Sequence, residues 1–281
     1  MTHPAPISFL QKADRDGRKC KDVTQRAAHA LRRHIRRFAA ALWLASSLVW
    51  SQDVPSNQLG TAFVVAEPGY LLTAFHTIKG ETEFFVGAME TKKLVKAELI
   101  ASDESADLAL LKANISASPL KIAAWPSVPV GLDVFVIGFP QPNMLGYSKK
   151  ITQGIINGTR GHQDAKYFQL SAEVQRGNSG GPAIAPDGSV VGVVVRKLNA
   201  LSVAEKTKDL PQNVNYALNA SIVAAFLERA GVRADLTQVD LSRNRRAFDI
   251  FRDYGSSVFL VIARNRVAKE KQAANETPPI P

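Results

Sequence analysis

The chain has 281 residues, 46% of them apolar and 21% charged, with a formal net charge of +10. This composition excludes disordered, collagen-like and coiled-coil proteins and predicts a globular protein with one or two compact units. No stretch reaches the roughly 18 apolar residues that a membrane-spanning helix needs, which excludes an integral membrane bundle.

Most of the positive charge lies at the start of the chain, because residues 1–51 carry a net +7 and the rest only +3. A basic cluster at 31–37 precedes the apolar run 38–50 and then polar residues, which is the order of an export signal. We therefore expect a basic n-region plus export signal over 1–51 and a periplasmic or secreted product. An amphipathic surface helix and an uncut membrane anchor are the alternatives. Nucleic-acid binding is disfavoured, since the charge is concentrated in this segment.

The n-region of residues 1–37 is far longer than export signals usually carry, which suggests that the true start lies near residue 31. The one cysteine, Cys20, lies in this segment. The exported product would contain no cysteine, which excludes a cysteine nucleophile, a zinc–thiolate site and a disulfide framework. We expect neither a metal nor a cofactor.

From residue 58 onward, short apolar or alternating runs separated by turn residues predict an all-β protein. A break at 126–129 divides twelve such runs into two sets of about six, which suits closed barrels or a sandwich. The runs are 61–66, 70–75, 82–88, 94–102, 107–113, 120–125, 132–138, 149–158, 166–172, 182–185, 189–195 and 213–219.

One helix is predicted over 221–231, with Ser221 as its N-cap and Gly231 after its end. Its apolar face contains Ile222, Val223, Phe226 and Leu227. We expect 234–281 to be a partly disordered extension that is too short for another ordinary domain. Within it, 234–254 is charged and helix-like, and the apolar run 256–263 should pack back on the body.

The sharpest chemical signal is 175–182, Gln-Arg-Gly-Asn-Ser-Gly-Gly-Pro. Glycines let backbone amides approach a reacting group closely, and the amides of Gly177 and Ser179 could form an oxyanion pocket for acyl transfer. A tight glycine turn with an incidental serine is the alternative. The peptide also fits the nucleophile elbow of α/β-hydrolases, but that fold needs a histidine after the serine, and none follows Ser179.

Two histidines lie beyond the export segment, and both precede the serine. His76 closes a predicted strand, where a sheet can hold a general base rigidly, although a satisfied core histidine is the alternative. His162 lies in a polar loop, and we interpret it as solvated. A buried carboxylate should orient the base, and Asp107 at the start of an apolar strand is the candidate. Asp103, inside a polar turn, is its competitor.

Four motifs, GTAFVV, LTAFH, ADLALLK and GNSGGP, occur in this order and resemble the trypsin-like serine endopeptidases, specifically the bacterial Deg or high-temperature-requirement (HtrA) type. The resemblance runs from about residue 58 to 232. It implies two six-stranded chymotrypsin-like β-barrels, with His76 as base, Asp107 as its orienting partner and Ser179 as nucleophile. The amides of Gly177 and Ser179 would form the oxyanion hole. The peptidase domain would cover 52–233, with barrels at about 56–125 and 130–219.

Two departures from that family stand out. Its members usually carry PDZ domains after the protease, and the 48 residues after Arg233 cannot hold one. Peptide-activated allostery and large cage assemblies are therefore not expected. In the second departure, position 176 is Arg where the family commonly has Pro.

By the same resemblance, two segments wall the primary pocket for the P1 residue, the substrate residue before the cleaved bond. Their valines favour a small or medium aliphatic P1 residue, whereas an inward Glu173 would favour Lys or Arg. The wall residues are Glu173, Val174, Gln175, Arg176, Val193, Val194 and Val195.

Together these features predict an exported serine endopeptidase acting on unfolded or exposed polypeptide through an acyl-enzyme. The alternative is a latent binding module on a protease scaffold that a partner activates. Physiological substrate and oligomeric state stay open.

Overall fold

Short strands dominate the computed structural model. It describes residues 58–88, 93–124, 129–159, 165–197 and 214–265, all within the unit Val54–Pro281. In chain order the strands of these ranges are β1 (Gln58–Ala66), β2 (Tyr70–Ala74), β3 (Glu83–Ala88), β4 (Lys93–Asp103), β5 (Leu108–Ala113), β6 (Ile122–Ala123), β7 (Asp133–Gly138), β8 (Lys150–Gly158), β9 (Tyr167–Leu170), β10 (Pro182–Ile184), β11 (Val190–Lys197), β12 (Asn215–Asn219), β13 (Leu236–Thr237) and β14 (Val258–Arg264). The helices are α1 (Pro142–Leu145), α2 (Ala220–Arg229) and α3 (Ala247–Tyr254). None of these helices is long and apolar enough to cross a membrane.

Two closed antiparallel barrels of six strands each make up the fold. The first has the order β1, β14, β3, β4, β5, β2. The second has the order β10, β7, β8, β9, β12, β11, and the pairing of β10 with β11 closes it. The short strands β6 and β13 extend the second sheet beyond β11 in parallel. The predicted all-β, two-barrel fold is confirmed.

β1 is apolar along most of its length because both of its faces are buried. Ala62 and Val64 belong to a core built only from first-barrel strands and their loops. Phe63 and Val65 belong to a larger core that combines residues of both barrels. A strand with one solvated face would alternate apolar and polar residues, whereas burial on both faces gives a continuous apolar run.

The sixth strand of the first barrel differs from the sequence prediction. The run 120–125 yields only β6, which pairs with β11 in the second sheet. β14 takes the sixth place, between β1 and β3. Successive residues of β14 point to opposite faces of the sheet, and both faces are buried: Val261 lies in the first-barrel core and Leu260 in the larger core. The first barrel thus extends beyond residue 233, where the sequence interpretation ended the peptidase domain, and 256–263 packs on the body as expected.

The predicted helix forms as α2, but its N-cap lies earlier than Ser221. Asn219 is the N-cap, and its side chain accepts a hydrogen bond from the Ser221 N–H at 3.1 Å. Both Asn and Ser are good caps, and the chain leaves the extended conformation at Asn219. Val223, Phe226 and Leu227 are buried, as their spacing predicts.

The segment that leads to β14 is tied to the body by hydrogen bonds. Lys149 donates through Nζ to the Gly255 carbonyl at 2.7 Å. The buried Ser257 hydroxyl donates to the Ser118 carbonyl at 2.6 Å. These bonds fix the residues just before β14, where the strand begins to pair with β1.

Candidate active site

His76 and Asp107 lie side by side at the ends of two paired strands. β2 and β5 are antiparallel with Ala74 opposite Leu108, so the residues after β2 meet the residue before β5. The Asp107 carboxylate accepts two bonds from His76, at 2.6 Å from Nδ1 to Oδ2 and at 2.8 Å from the backbone N–H to Oδ1. Because a carboxylate only accepts, the proton of the neutral ring lies on Nδ1, and Nε2 keeps a free lone pair.

Asp107 adopts an unusual backbone conformation to make this contact. Its φ is +56°, in the left-handed region that aspartate tolerates better than most residues. Its carbonyl accepts the Phe75 N–H at 3.0 Å, which pins it beside the histidine. The side chains of Asp107 and His76 are 24% and 47% exposed. The carboxylate is thus only partly shielded, because it lies at a strand end and not inside the barrel.

Asp103, the competing carboxylate, has a different set of partners. It accepts from the Ser105 hydroxyl at 2.7 Å, the Ala106 N–H at 3.0 Å and Arg229 Nη2 at 2.9 Å. The Ser105 hydrogen bond is the main reason that the pKa of Asp103 is lowered, and the Ala106 N–H and the Arg229 charge lower it further. Asp103 therefore holds the turn and anchors α2, and Asp107 is the partner of His76.

Ser179 lies in a turn that both barrels hold through backbone bonds. From the first barrel, the Thr61 N–H donates to the Ser179 carbonyl at 2.9 Å. From the second barrel, Val194 accepts from the Gly180 N–H at 2.7 Å and donates to the Gly181 carbonyl at 2.9 Å. The serine is thus fixed between the two barrels.

Gly177 has a φ of +97°, and a Cβ there would lie 2.2 Å from the Phe139 carbonyl oxygen. Only glycine fits this position. Among the described residues, the N–H groups of Gly177 and Ser179 have no acceptor. The Arg176 carbonyl accepts the Gln141 N–H at 2.6 Å. Because a trans peptide points its C=O and N–H in opposite directions, the Gly177 N–H points away from Gln141.

The segments that carry His76 and Ser179 approach each other across the two barrels. A Cβ placed on Gly60 would lie 2.8 Å from the side chain of Thr77, the residue after His76, and 3.2 Å from the Ser179 carbonyl oxygen. Within the described residues, no hydrogen bond joins the His76 ring to the Ser179 hydroxyl. Such bonds are often long before substrate binds.

The expected pocket walls differ in exposure. Glu173 is exposed, and its carbonyl accepts from the Thr152 hydroxyl at 2.8 Å. Arg176 is also exposed and Gln175 is half-buried. The four valines are buried: Val174, Val193, Val194 and Val195.

Other sequence expectations concern other parts of the chain. His162, Cys20 and the whole of 1–51 lie outside the described residues. In the ranges that are described, no group of three or more His, Cys, Asp or Glu side chains could hold a metal ion.

Sequence reasoning missed Thr61 and Gln141, whose backbone N–H groups bond the carbonyls of Ser179 and Arg176. A sequence signal for Thr61 existed, because it is a polar residue next to the apolar run 62–66 of β1, and the structure shows that it is fully buried. Gln141 carried no such signal, since its φ of +42° and its contact are visible only in three dimensions.

The range 60–193, which contains His76, Asp107 and Ser179, matches the protein family described as trypsin-like peptidase domain. The match covers just under half of the chain, and β12 and β14, which lie outside it, complete the two barrels. The chain is related to the HtrA, DegP and DegS proteases, as the sequence resemblance predicts.

Relatives of this peptidase domain come from several bacteria. An uncharacterized protein, y4bJ, of Sinorhizobium fredii is 37% identical over 182 residues, which cover 63% of this chain and 28% of that protein. A probable periplasmic serine endoprotease, DegP-like, of Hahella chejuensis is 36% identical over 143 residues, or 49% of this chain and 29% of that protein. The serine endoprotease DegS of Haemophilus influenzae is 31% identical over 194 residues, or 66% of this chain and 54% of that protein. The chain thus spans between about a quarter and about half of the length of these relatives.

Solved structures share the fold of the peptidase domain. The HtrA-type protease AlgW with decapeptide has a TM-score of 0.51 at 23% identity, covering 61% of this chain and 51% of that one. A serine endoprotease from Yersinia pestis has a TM-score of 0.50 at 23% identity, covering 63% of each. At this identity the likeness concerns the fold alone.

Proposed function

We propose that the protein is an exported serine endopeptidase that cleaves unfolded or exposed polypeptide. The arrangement of His76 and Asp107 carries this proposal. Both carboxylate oxygens hold the histidine, so that Nε2 is left free as a base at the meeting point of the two barrels. The match to a trypsin-like peptidase domain over the same residues supports the reaction class.

In this mechanism the Ser179 hydroxyl loses its proton to His76 Nε2 and attacks the peptide carbonyl carbon. The oxygen of the tetrahedral intermediate accepts hydrogen bonds from the N–H groups of Gly177 and Ser179. His76 then gives its proton to the leaving amine, which breaks the C–N bond and leaves an acyl-enzyme. Water, deprotonated by His76, then attacks the acyl carbon. The C–O bond to Ser179 breaks, the acid is released, and His76 returns its proton to the Ser179 oxygen. Asp107 stays ionised and stabilises the imidazolium.

For the primary pocket we propose a small or medium aliphatic P1 residue. The buried Val174 and Val193 to Val195 support this preference. Glu173 is exposed and therefore does not supply the buried carboxylate that a basic P1 residue requires. The partner is thus an unfolded polypeptide with aliphatic residues, and not a nucleic acid.

Export to the periplasm or the medium is proposed from the sequence of 1–51. The DegP-like relative of Hahella chejuensis is named periplasmic, which agrees with such a destination. N-terminal sequencing of the processed protein tests this point. A first residue near Gln52 is expected, and a peptide that covers the first 26 residues would contradict both the cleavage and the start near residue 31.

The direct test of the activity is Ser179→Ala on a casein-type substrate. The variant should lose about 10⁶-fold in kcat, because serine and histidine act as a unit in such enzymes. Its melting temperature should stay near that of the wild type, since the side chain makes no hydrogen bond to the described residues. Equal cleavage by variant and wild type would refute the proposal.

A latent binding module is the second candidate, and the exposed Arg176 beside the proposed oxyanion loop, where the family commonly has Pro, favours it. Labelling with a fluorophosphonate separates the two. A working enzyme labels at Ser179 without any addition, whereas a latent module labels only after its partner is added.

A further inference from the structure

Thr61 on β1 contacts the serine turn at two points. Its backbone N–H donates to the Ser179 carbonyl at 2.9 Å. Its hydroxyl donates to the Gly177 carbonyl at 2.6 Å and accepts the Phe139 N–H at 3.1 Å. The residue is fully buried, so water does not compete for these hydrogen bonds.

These two bonds act on the peptide planes next to the two N–H groups that the proposed mechanism needs. A residue's N–H lies in the peptide plane before its Cα, and the plane after its Cα, which carries its carbonyl, limits how far that first plane can rotate. On one side of Gly177 the Arg176 carbonyl is held by Gln141, and on the other side the Gly177 carbonyl is held by Thr61. Both planes are therefore fixed.

The same holds for Ser179. Before it, the Asn178 carbonyl accepts the Gly181 N–H at 2.9 Å, and after it the Ser179 carbonyl accepts the Thr61 N–H. Thr61 thus holds the plane after Gly177 and the plane after Ser179, while Gln141 and Gly181 hold the planes that contain the two N–H groups.

Thr61 itself has little freedom to move. It lies opposite Leu260 of β14, and its carbonyl accepts the Thr73 hydroxyl of β2 at 2.8 Å. β1 is paired on both sides in a closed barrel, so the hydroxyl is presented at a fixed place. Gly180 packs so closely that a Cβ on it would lie 2.3 Å from the Thr61 carbonyl oxygen.

We infer that Thr61 is a positioning residue that holds the N–H groups of Gly177 and Ser179 in the orientation that receives the oxyanion. This inference rests on the proposed function. The first barrel, besides carrying the base, thereby sets the geometry of the serine turn in the second.

The test compares Thr61→Val, Thr61→Ser and Ser257→Ala. Valine keeps the shape of threonine and removes only the hydroxyl, while serine retains it. Ser257→Ala is the matched control, because it also removes a buried hydroxyl that bonds a carbonyl, away from the serine turn. The readouts are kcat and KM on a peptide substrate, melting temperature, and hydrogen–deuterium exchange of the 175–182 peptide.

Thr61→Val should lower kcat by about 10²-fold, the cost of a misplaced catalytic group, with KM nearly unchanged. Its 175–182 peptide should exchange faster than in the control. Thr61→Ser should restore both, and Ser257→Ala should lose stability but keep kcat.

A Thr61→Val protein with the kcat and the exchange of the control would overturn the inference. If the wild type cleaves nothing, the proposed function fails by itself. The exchange comparison then decides alone, and exchange in Thr61→Val no faster than in Ser257→Ala overturns the positioning role.

Discussion

The two halves of the candidate site are held in place in different ways. In the first barrel, one side chain holds another, since Asp107 accepts both bonds from His76, and the pair is partly exposed. In the second barrel, the Ser179 side chain makes no such bond to the described residues, and only the backbone of its turn is fixed. Neighbouring strands of one barrel build the first half, whereas Thr61, Gln141 and Val194 come from three separate elements to build the second.

Because of this difference, the two halves should lose activity in response to different kinds of substitution. A change of one functional group should disable the histidine half while the fold persists. The serine half should respond to changes that touch only backbone geometry, such as an added methyl group on a glycine.

Among the variants that compare the two halves, the largest effect is expected from Asp107→Asn in the histidine half. The amide would favour the wrong ring tautomer, and kcat should fall about 10⁴-fold, the loss typical of this change in a Ser-His-Asp triad. Measured kcat and melting temperature separate this loss from unfolding. A matched Asp103→Asn variant should keep its kcat, and a similar fall in kcat for both variants would contradict the assignment of Asp107.

A smaller loss is expected from Gly177→Ala in the serine half. The added methyl group would clash with the Phe139 carbonyl oxygen, so the backbone of residue 177 must move and its N–H must turn away from the oxyanion. We therefore expect kcat to fall about 10²- to 10³-fold. Gly131→Ala is the control, because Gly131 also has a positive φ, +90°, but open space around its Cβ position. Equal kcat values for the two variants would show that the turn tolerates displacement.

The smallest effect concerns stability outside both halves. The folded state lowers the pKa of Asp103, so the ionised carboxylate stabilises the fold above its unfolded pKa of about 3.9, and this stabilisation is lost as pH falls through the lower folded value. Asp103→Asn should therefore cost up to about 1 kcal/mol at pH 7, because the group is near the surface. The gap in melting temperature between wild type and variant should shrink in acid, and a gap independent of pH would count against this role.

Local sequence was enough to predict most strands, because apolar runs bounded by turn residues need no distant partner to be recognised. It was also enough to place His76 at a strand end and Ser179 in a glycine turn. The choice of Asp107 over Asp103 depended on one local fact, the apolar strand that follows Asp107.

Strand pairings and hydrogen bonds between segments that are distant in the sequence could not be predicted in this way. The run 256–263 looked like a strand, but nothing in it indicates that its neighbours are β1 and β3. Similarly, the run 120–125 gave no sign that only Ile122–Ala123 would pair, and with β11. The role of Thr61 likewise depends on a bond across 116 positions of sequence.

The most direct measurement is a crystal structure of the fluorophosphonate adduct. We expect the phosphorus on Ser179 Oγ and the phosphonyl oxygen about 2.7–3.1 Å from the N atoms of both Gly177 and Ser179. His76 Nε2 should lie within hydrogen-bond distance of Oγ. An adduct on another residue, or a phosphonyl oxygen turned to solvent with the Gly177 N–H pointing elsewhere, would contradict the proposed hydrolase.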